Sequence, residues 1–394
     1  MKLYQILSWK FLKLTYGIFA KRYYNIKCVK HQEEPDAPYL LLANHYYHTD
    51  PFFIAAFLKS SLHYLGSDEM SSLFQQVLGH LVGLIYIKKG QIDTKAVREL
   101  FKYVKRGDSV AFFPEGDGSW DGETNEISEN IVKLVRMLNI PLVTVNISGA
   151  YLTKSRWAAH FRLGKILVQF RSIKKNEIDK LSDKELYLKI KTHLYNNELK
   201  NKEIQQTTFK GKNLAKGIQY LLWKCPDCQS EDTIYGSNNE IICSKCKSSW
   251  ILDANMRVSP EINKIKDLKD WSDWQKKEVK ELVNVKEIRE LTKTLDVRLK
   301  VFNRYSRGIN KMKMIFVDYS QGTIVLERRN LVFLPYNKNK RRIGFKIKNI
   351  NSYVDCVNKF FRFSYEGQIY QLEFGGKNSS KYISFLRALQ KENQ

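Results

Sequence analysis

Short apolar runs alternate with amphipathic helical patterns between about residues 36 and 172. Each apolar run has the length of a buried strand, and the segments between the runs place hydrophobic residues at helical spacing. The strand-like runs are YLLLANH (39–45), LVGLIYIKK (81–89), SVAFFPEG (109–116) and IPLVTVNISGAY (140–151). The helical patterns are DPFFIAAFLKS (50–60), DTKAVRELFKYVKRGD (93–108) and ISENIVKLVRMLN (127–139). This alternation predicts an α/β domain.

The pattern changes twice beyond residue 172. Residues 173–220 are charged and rich in Lys and Glu, which predicts helices that extend or flank the core, and DLKDWSDWQKKEVKELV (267–283) predicts a further helix. From about residue 300, β-type residues recur between glycine turn signals and end in an amphipathic helix, SSKYISFLRALQK (379–391). This β-rich tail resembles pleckstrin-homology (PH) or GRAM-like domains in pattern, although it carries no motif of theirs.

The first thirty residues combine seven Lys or Arg residues with aliphatic and aromatic side chains, and they contain no acid. No run reaches the ~18 uncharged apolar residues that a spanning helix needs. Lys10 and Lys13 interrupt the apolar stretches and no small-residue cleavage site follows, which argues against a signal peptide. The pattern predicts amphipathic helices that lie in a membrane interface. A surface helix docked on the protein's own core is the alternative.

Four of the six cysteines form two Cys-x2-Cys pairs that are separated by fourteen residues. The pairs are Cys225 with Cys228 and Cys243 with Cys246. This spacing is typical of a zinc ribbon in which four thiolates hold a structural Zn²⁺ with no open position. Cys28 and Cys356 stand alone and are interpreted as packing residues. Cysteines used in this way indicate a reducing, cytoplasmic compartment.

The net charge of +25 indicates an anionic partner, either a membrane surface or nucleic acid. The ribbon itself mixes acids with lysines, which disfavours nucleic acid and favours protein contact or domain spacing as its role. The cluster NKNKRR (337–342) lies in a predicted loop of the β-rich tail. It would either meet lipid phosphates or remain a solvated basic loop.

The stretch NHYYHTD (44–50) interrupts an apolar run with two histidines and an acid. Its position between a strand and a helix would let His45 fold back toward Asp50, which would orient the imidazole as a general base. Two other interpretations stay open on spacing alone. The first is a metal site formed by His45, His48 and Asp50. The second is that Asp50 serves only as the N-cap of the following helix.

The order of four sequence blocks favours the interpretation of His45 and Asp50 as a catalytic pair. NHYYHTD, GLIYIKK (83–89), FPEG (113–116) and IPLVTV (140–145) follow one another as do the blocks of the glycerolipid acyltransferases. The chain resembles this lysophospholipid acyltransferase family of the PlsC type, which includes 1-acylglycerol-3-phosphate acyltransferase, over roughly residues 36–150. The resemblance implies a mixed-sheet α/β core preceded by amphipathic helices.

The resemblance also assigns roles to individual residues. It makes His45 the general base and Asp50 its orienting partner, with no acyl-enzyme intermediate. It implies acyl-CoA or acyl-carrier protein as donor and a lysophospholipid, glycerol-phosphate lipid or related hydroxyl as acceptor. The residues that it places in substrate binding are Lys89, Phe113, Pro114, Glu115 and Gly116. Lys89 stands where the family usually has Arg, so a bidentate fork for phosphate is lost.

A second departure follows the third block. Many members of the family carry a small polar residue and then Arg after Phe-Pro-Glu-Gly, whereas this chain has Asp117 and Gly118. The departure questions a glycerol-phosphate acceptor but not acyl transfer. Lys88, Lys89 and Arg156 are candidates to replace the cation.

We therefore expect a peripheral membrane acyltransferase on the cytoplasmic face. Its runner-up is a non-catalytic membrane or nucleic-acid adaptor with a degenerate core. The expected domains are a membrane-binding segment (1–35), the acyltransferase domain with its helical extension (36–220), the zinc ribbon (221–258), a helical linker (259–299) and the PH/GRAM-like domain (300–394). The expected partners are a lipid surface, the acyl donor, a lysolipid acceptor and a protein that binds the ribbon or the tail.

Overall fold

The computed structural model describes residues 1–31, 33–67, 73–87, 94–308, 311–356 and 360–392. The chain divides into two compact units. The first consists mainly of Met1–Arg156 and His160–Lys212, and the second of Trp157–Ala159, Asn213–Gly308 and Met312–Gln394. The finer division into five domains stays a prediction.

A seven-stranded mixed sheet forms the centre of the first unit, in the order β1-β7-β6-β2-β5-β3-β4. Its strands are β1 (Ile26–His31), β2 (Leu40–Ala43), β3 (His63–Ser67), β4 (Ile85–Ile87), β5 (Val110–Phe112), β6 (Leu142–Ser148) and β7 (Ile166–Ile173). Only β6 and β7 pair antiparallel, and the other neighbours are parallel. The predicted mixed-sheet α/β core is therefore confirmed.

Helices cover this sheet with their apolar residues. They are α1 (Leu3–Leu12), α2 (Ile18–Tyr23), α3 (Asp50–Ala55), α4 (Leu73–Leu81), α5 (Thr94–Lys105), α6 (Asn130–Leu138), α7 (Ala150–Thr153), α8 (Lys175–Lys180), α9 (Asp183–Leu194) and α10 (Lys202–Gln205), and a π-helical segment, Lys13–Gly17, joins α1 to α2. Val135 of α6 and Ile190 of α9 share one buried cluster with Leu42 of β2 and Leu142 of β6. In the described part of the chain, no helix combines the length and the apolar character needed to cross a membrane.

Two predicted elements of this unit differ from the structure. The strand expected over residues 81–89 begins only at Ile85, because Leu81 ends α4 and Gly83 makes a turn with φ +69°. A Cβ at Gly83 would lie 2.7 Å from Nδ1 of His63, so the turn also needs glycine for space. The basic segment 1–35 is not helical throughout, because Ile26–His31 forms the edge strand β1.

The second unit contains two antiparallel sheets. The smaller one joins β8 (Ile234–Ser237), β9 (Glu240–Cys243), β10 (Ser249–Leu252), β11 (Arg257–Ile262) and β12 (Ile265–Asp267). The larger one has the order β16-β15-β14-β13-β19-β18-β17. Its strands are β13 (Glu290–Gly308), β14 (Lys311–Glu327), β15 (Asn330–Pro335), β16 (Ile343–Lys346), β17 (Ile350–Cys356), β18 (Phe360–Tyr365) and β19 (Gln368–Glu373). The β-rich tail is confirmed, and its PH-like assignment stays a prediction.

Two helices, α11 (Leu268–Asn284) and α12 (Ser380–Glu392), pack on the core of the larger sheet. The segment 259–299, expected to be helical, is helical only in α11, because β11 and β12 precede that helix and β13 already begins at Glu290. Lys381 of α12 is fully buried and pairs with Glu231 and Asp232, which lie between the two cysteine pairs in sequence. The ribbon and the β-rich sheet therefore belong to one packed unit.

Candidate active site and metal centre

The turn between β2 and α3 carries the two histidines. β2 is fully buried, and Asn44 fixes its end to β6 because its side chain bonds both the N–H and the carbonyl of Ile147, at 2.7 and 2.9 Å. The backbone then turns so that α3 begins at Asp50. The predicted N-cap role of Asp50 is wrong, because Thr49 occupies the cap position and Pro51 follows in the first turn.

His45 and Asp50 form a hydrogen-bonded pair. Nδ1 of His45 lies 2.8 Å from Oδ2 of Asp50, which also accepts the backbone N–H groups of Tyr46 and Tyr47 at 2.7 and 2.9 Å. Asp50 is fully buried, whereas the His45 side chain is 22% exposed. The carboxylate is thus fixed by its own turn, and it places the Nδ1 proton of His45 so that Nε2 keeps its lone pair.

Glu115 of the third block fixes the other side of the turn. Its Oε1 accepts the backbone N–H of His45 at 2.7 Å, and its Oε2 accepts that of Asn125 at 2.6 Å. Burial of the Glu115 carboxyl group away from water raises its pKa to about 8. The hydrogen bonds from the two backbone amides lower this pKa, but their effect is smaller. In the structure this carboxylate binds the backbone, and the expected part of Glu115 in substrate binding stays a prediction.

The other residues of the third block follow or precede Glu115 directly, and Phe113 contacts the same turn. The ring of Phe113 stacks on the His45 imidazole with centroids 4.1 Å apart. Pro114 is half-buried, and Gly116 turns the chain with φ +72°. Lys89, the remaining residue expected to bind substrate, lies outside the described residues, as does Lys88.

Sequence reasoning left open which cation approaches the third block, and the structure places Arg156 there. Its Nη1 donates to the carbonyl of Gly118 at 2.8 Å and lies 2.7 Å from Oδ2 of Asp117. Its guanidinium also covers the ring of Trp120, 4.6 Å from the centroid. No spacing rule relates residue 156 to residue 118, so only the fold could identify this contact.

His48 does not join the dyad in a metal site. Its ring packs on that of Tyr47, with centroids 3.9 Å apart, and burial lowers its pKa. Among the residues that the structure describes, the metal-competent grouping is the cysteine quartet and does not include His45, His48 or Asp50. His48 therefore lies beside the dyad as a neutral neighbour.

The four cysteines of the ribbon converge on one point in the second unit. Their sulfur atoms all lie within 4.8 Å of one another, and Cys225–Cys246 and Cys228–Cys243 are each separated by 3.7 Å. Four thiolates at ~2.3 Å from a tetrahedral Zn²⁺ stand roughly 3.8 Å apart. The donor set and its spacing therefore fit a structural zinc ion.

Comparison with known proteins bears on the first unit. Residues 25–148 match the family Acyltransferase, so this part of the chain is an acyltransferase domain and the predicted enzyme class is confirmed. No curated protein sequence matches the chain significantly. Among solved structures, the chain is similar to the 1-acyl-sn-glycerophosphate acyltransferase PlsC from Thermotoga maritima, with 18% identity and a TM-score of 0.41. That alignment covers 47% of this chain and 76% of the other.

Proposed function

We propose that the acyltransferase domain at residues 25–148 transfers a fatty acyl group from acyl-CoA or acyl-carrier protein to a hydroxyl of a lysophospholipid or related lipid. One observation carries the proposal, namely the 2.8 Å contact between His45 and a fully buried Asp50 inside that domain. A degenerate core would not need a carboxylate that is held by two amides and aimed at an imidazole.

The reaction needs one base and no covalent enzyme intermediate. Nε2 of His45 takes the proton of the acceptor hydroxyl as its oxygen attacks the thioester carbonyl. Asp50 stabilises the imidazolium that forms. The tetrahedral intermediate collapses, the C–S bond breaks, and the thiolate leaves with the proton that His45 returns. The products are the new ester and the free thiol of the donor.

The oxyanion of that intermediate needs donors other than the nearest amides. The N–H of His45 is bound to Glu115, and those of Tyr46 and Tyr47 are bound to Asp50. These three groups hold the base in place and therefore do not serve the oxyanion. Asp50 thus contributes geometry and charge, Glu115 contributes geometry, and His45 alone moves the proton.

We assign the first helices to membrane binding, on the cytoplasmic face that the free thiols suggest. Trp9 faces inward and donates its indole N–H to the carbonyl of Val82 at 3.0 Å. An outward stripe of apolar side chains, each more than half exposed, follows helical spacing beside exposed basic residues. The stripe consists of Leu3, Leu7, Phe11, Leu14 and Ile18. Exposed apolar residues flanked by cations suit an anionic lipid surface.

Vesicle binding tests this assignment. Replacing Leu7, Phe11 and Leu14 together with Gln should weaken binding to phosphatidylcholine–phosphatidylglycerol vesicles by at least roughly 10³-fold, because each side chain that enters the lipid contributes about 1.5 kcal/mol or more. Met137→Gln is the matched control, since Met137 is as exposed as Phe11, at 65% each, but lies on α6. Equal binding by all three proteins would refute the assignment.

A panel of acceptors tests the acyl transfer itself. The full-length chain is incubated with labelled acyl-CoA or labelled acyl-carrier protein and with lysophospholipids, glycerol phosphate, monoacylglycerol and glycolipids. Transfer to any of these supports the proposal. Absence of transfer to all of them, together with tight, salt-sensitive binding to nucleic acid or vesicles, would favour the adaptor instead.

A further inference from the structure

The loop after the third block, residues 117–120, closes the position at which the family resemblance expects an arginine. A Cβ at Gly118 would lie 2.7 Å from the backbone oxygen of Tyr46, closer than real Cβ atoms approach. No side chain can therefore enter the site from position 118 without a shift of the backbone. Among the residues that the structure describes, Arg156, which follows α7, brings a cation to this loop.

Arg156 forms an ion pair with Asp117 in this loop. Its Nη1 lies 2.7 Å from Oδ2 of Asp117, and the other oxygen of that carboxylate accepts the N–H of Gly118 at 3.1 Å. The Arg156 side chain is 13% exposed and that of Asp117 is 36% exposed. A molecule that approaches the loop from solvent therefore meets the carboxylate at least as readily as the guanidinium.

The loop is linked directly to the dyad. The N–H of Ser119 donates to the carbonyl of His45 at 2.9 Å. The site that a Cβ would take at Gly118 lies 2.7 Å from the Tyr46 carbonyl and 3.5 Å from Cδ of Arg156. Asp117 therefore belongs to a loop that contacts the backbone of the dyad turn, and Arg156 contacts that loop, so their charge would act on a head group whose hydroxyl is presented to His45.

We propose that the Asp117–Arg156 ion pair makes the enzyme select acceptors whose head group has no net charge over acceptors that end in a phosphate monoester. The inference rests on the proposed acyl transfer and names its acceptor class. A phosphate monoester carries about −1.5 to −2 charges at pH 7. Asp117 repels that charge and occupies the guanidinium that would bind it, whereas an uncharged or zwitterionic head group avoids the repulsion.

The test compares three acceptors with the same acyl chain in the same mixed micelles. They are monoacylglycerol, a lysophosphocholine and 1-acylglycerol-3-phosphate, with whichever donor supports turnover. The measured quantity is kcat/KM for the phosphomonoester divided by kcat/KM for each of the other two, which separates uncharged from zwitterionic head groups. The unaltered chain should give ratios below one.

Two substitutions break the same ion pair, one by removing its negative charge and the other by removing its positive charge. Asp117→Asn keeps an acceptor oxygen for Gly118 but removes the negative charge, so the ratio should rise by roughly tenfold. Arg156→Gln leaves Asp117 without this cation, so the ratio should fall. A merely structural role of the pair would lower turnover of all acceptors in both variants and leave the ratio unchanged.

Glu129→Gln serves as the control, since this exposed acid precedes α6 and should leave the ratio as it is. A preference of the unaltered chain for the phosphomonoester, or a ratio that moves in the same direction in both variants, would overturn the inference while leaving acyl transfer intact. Absence of transfer to every acceptor would overturn the proposed function and this inference with it.

Discussion

The dyad turn (residues 44–50) and the two metal knuckles (residues 225–230 and 243–248) are both short motifs, but different parts of the chain hold them. Each knuckle closes on itself, because the N–H of its fifth residue, Gln229 or Lys247, donates to the carbonyl of its first cysteine at 3.0 Å. In the dyad turn, Asp50 is local, but the amide of His45 is held by Glu115, 70 residues away. Local spacing therefore specifies the convergence of the four cysteines, whereas the dyad also needs the third block.

The largest expected effect is the loss of metal from the knuckles. Cys243→Ser with Cys246→Ser removes half of the donor set, so bound zinc should fall from one ion per chain to almost none. Structural zinc contributes about 10–16 kcal/mol of apparent binding free energy in small peptides, so the second unit should also lose several kcal/mol of stability. Metal analysis and thermal unfolding of the purified chain measure both.

The dyad variant is the control for this experiment. His45→Ala should keep its zinc, because His45 belongs to the other compact unit. If the double cysteine variant does not fold, chelator treatment of the unaltered chain gives the same comparison. Unchanged zinc content in the double cysteine variant would contradict the assignment of the site.

The next effect is catalytic. His45→Ala removes the base, and general-base catalysis is typically worth ~10²–10⁴-fold, so acyl transfer should fall by that factor. The fold should survive, because the imidazole is 22% exposed and its loss leaves no sealed cavity. Initial rates with the preferred acceptor and thermal unfolding of the same preparation check both expectations.

His160→Ala is the matched control for the base, since His160 is exposed. Near-normal transfer by His45→Ala, or an equal loss in His160→Ala, would refute His45 as the base. Either result would remove the catalytic role of the dyad turn and would leave the assignment of the cysteine site unchanged.

A smaller effect concerns the pH dependence of the folding stability, to which the buried Glu115 contributes. Its folded pKa of about 8 lies above the ordinary value of 4.5, so the folded chain keeps a proton that the unfolded chain releases between these values. The contribution of Glu115 to stability is therefore fully present below about pH 4.5 and is lost as the pH rises through about 8. Glu115→Gln, which does not titrate, should lack this loss.

Urea unfolding of both proteins at several pH values across that interval measures the difference. The stability of the unaltered chain minus that of Glu115→Gln should decrease steadily with pH. Glu129→Gln, which removes an exposed acid, should run parallel to the unaltered chain. Parallel curves for Glu115→Gln as well would contradict the burial of this carboxylate.

The comparison also explains what the sequence could predict. The buried strand Leu40–Ala43 was predictable because it is a short continuous apolar run. The amphipathic α12 was predictable because its apolar residues follow helical spacing. β1 was missed because Lys27 and Lys30 interrupt its short apolar sequence and hide an edge strand inside a basic segment. The local placement of helices was thus better predicted than the extent of strands.

The site was predictable only where a motif carries its own geometry. The cysteine quartet converges as its spacing indicates, and the structure brings His45 and Asp50 together. Whether Glu115 faces substrate or backbone depends on amides 70 residues earlier, so composition could not decide it. Arg156 contacts residue 118 although 38 residues separate them, and no pattern in the sequence encodes that approach.

The smallest expected effect tests whether the knuckles are specified by their own backbone. Gln229 and Lys247 occupy equivalent positions with φ +59° and +68°, a conformation that favours glycine. Lys247→Gly relieves this strain but adds freedom to the unfolded chain, so the net gain in stability should be about 0.5 kcal/mol. Lys245→Gly is the control, because an exposed lysine without positive φ gains nothing and should lose about 0.5–1 kcal/mol. Chelator-induced unfolding of the zinc-loaded proteins measures both, and equal destabilisation by the two substitutions would show that contacts beyond the knuckle hold it.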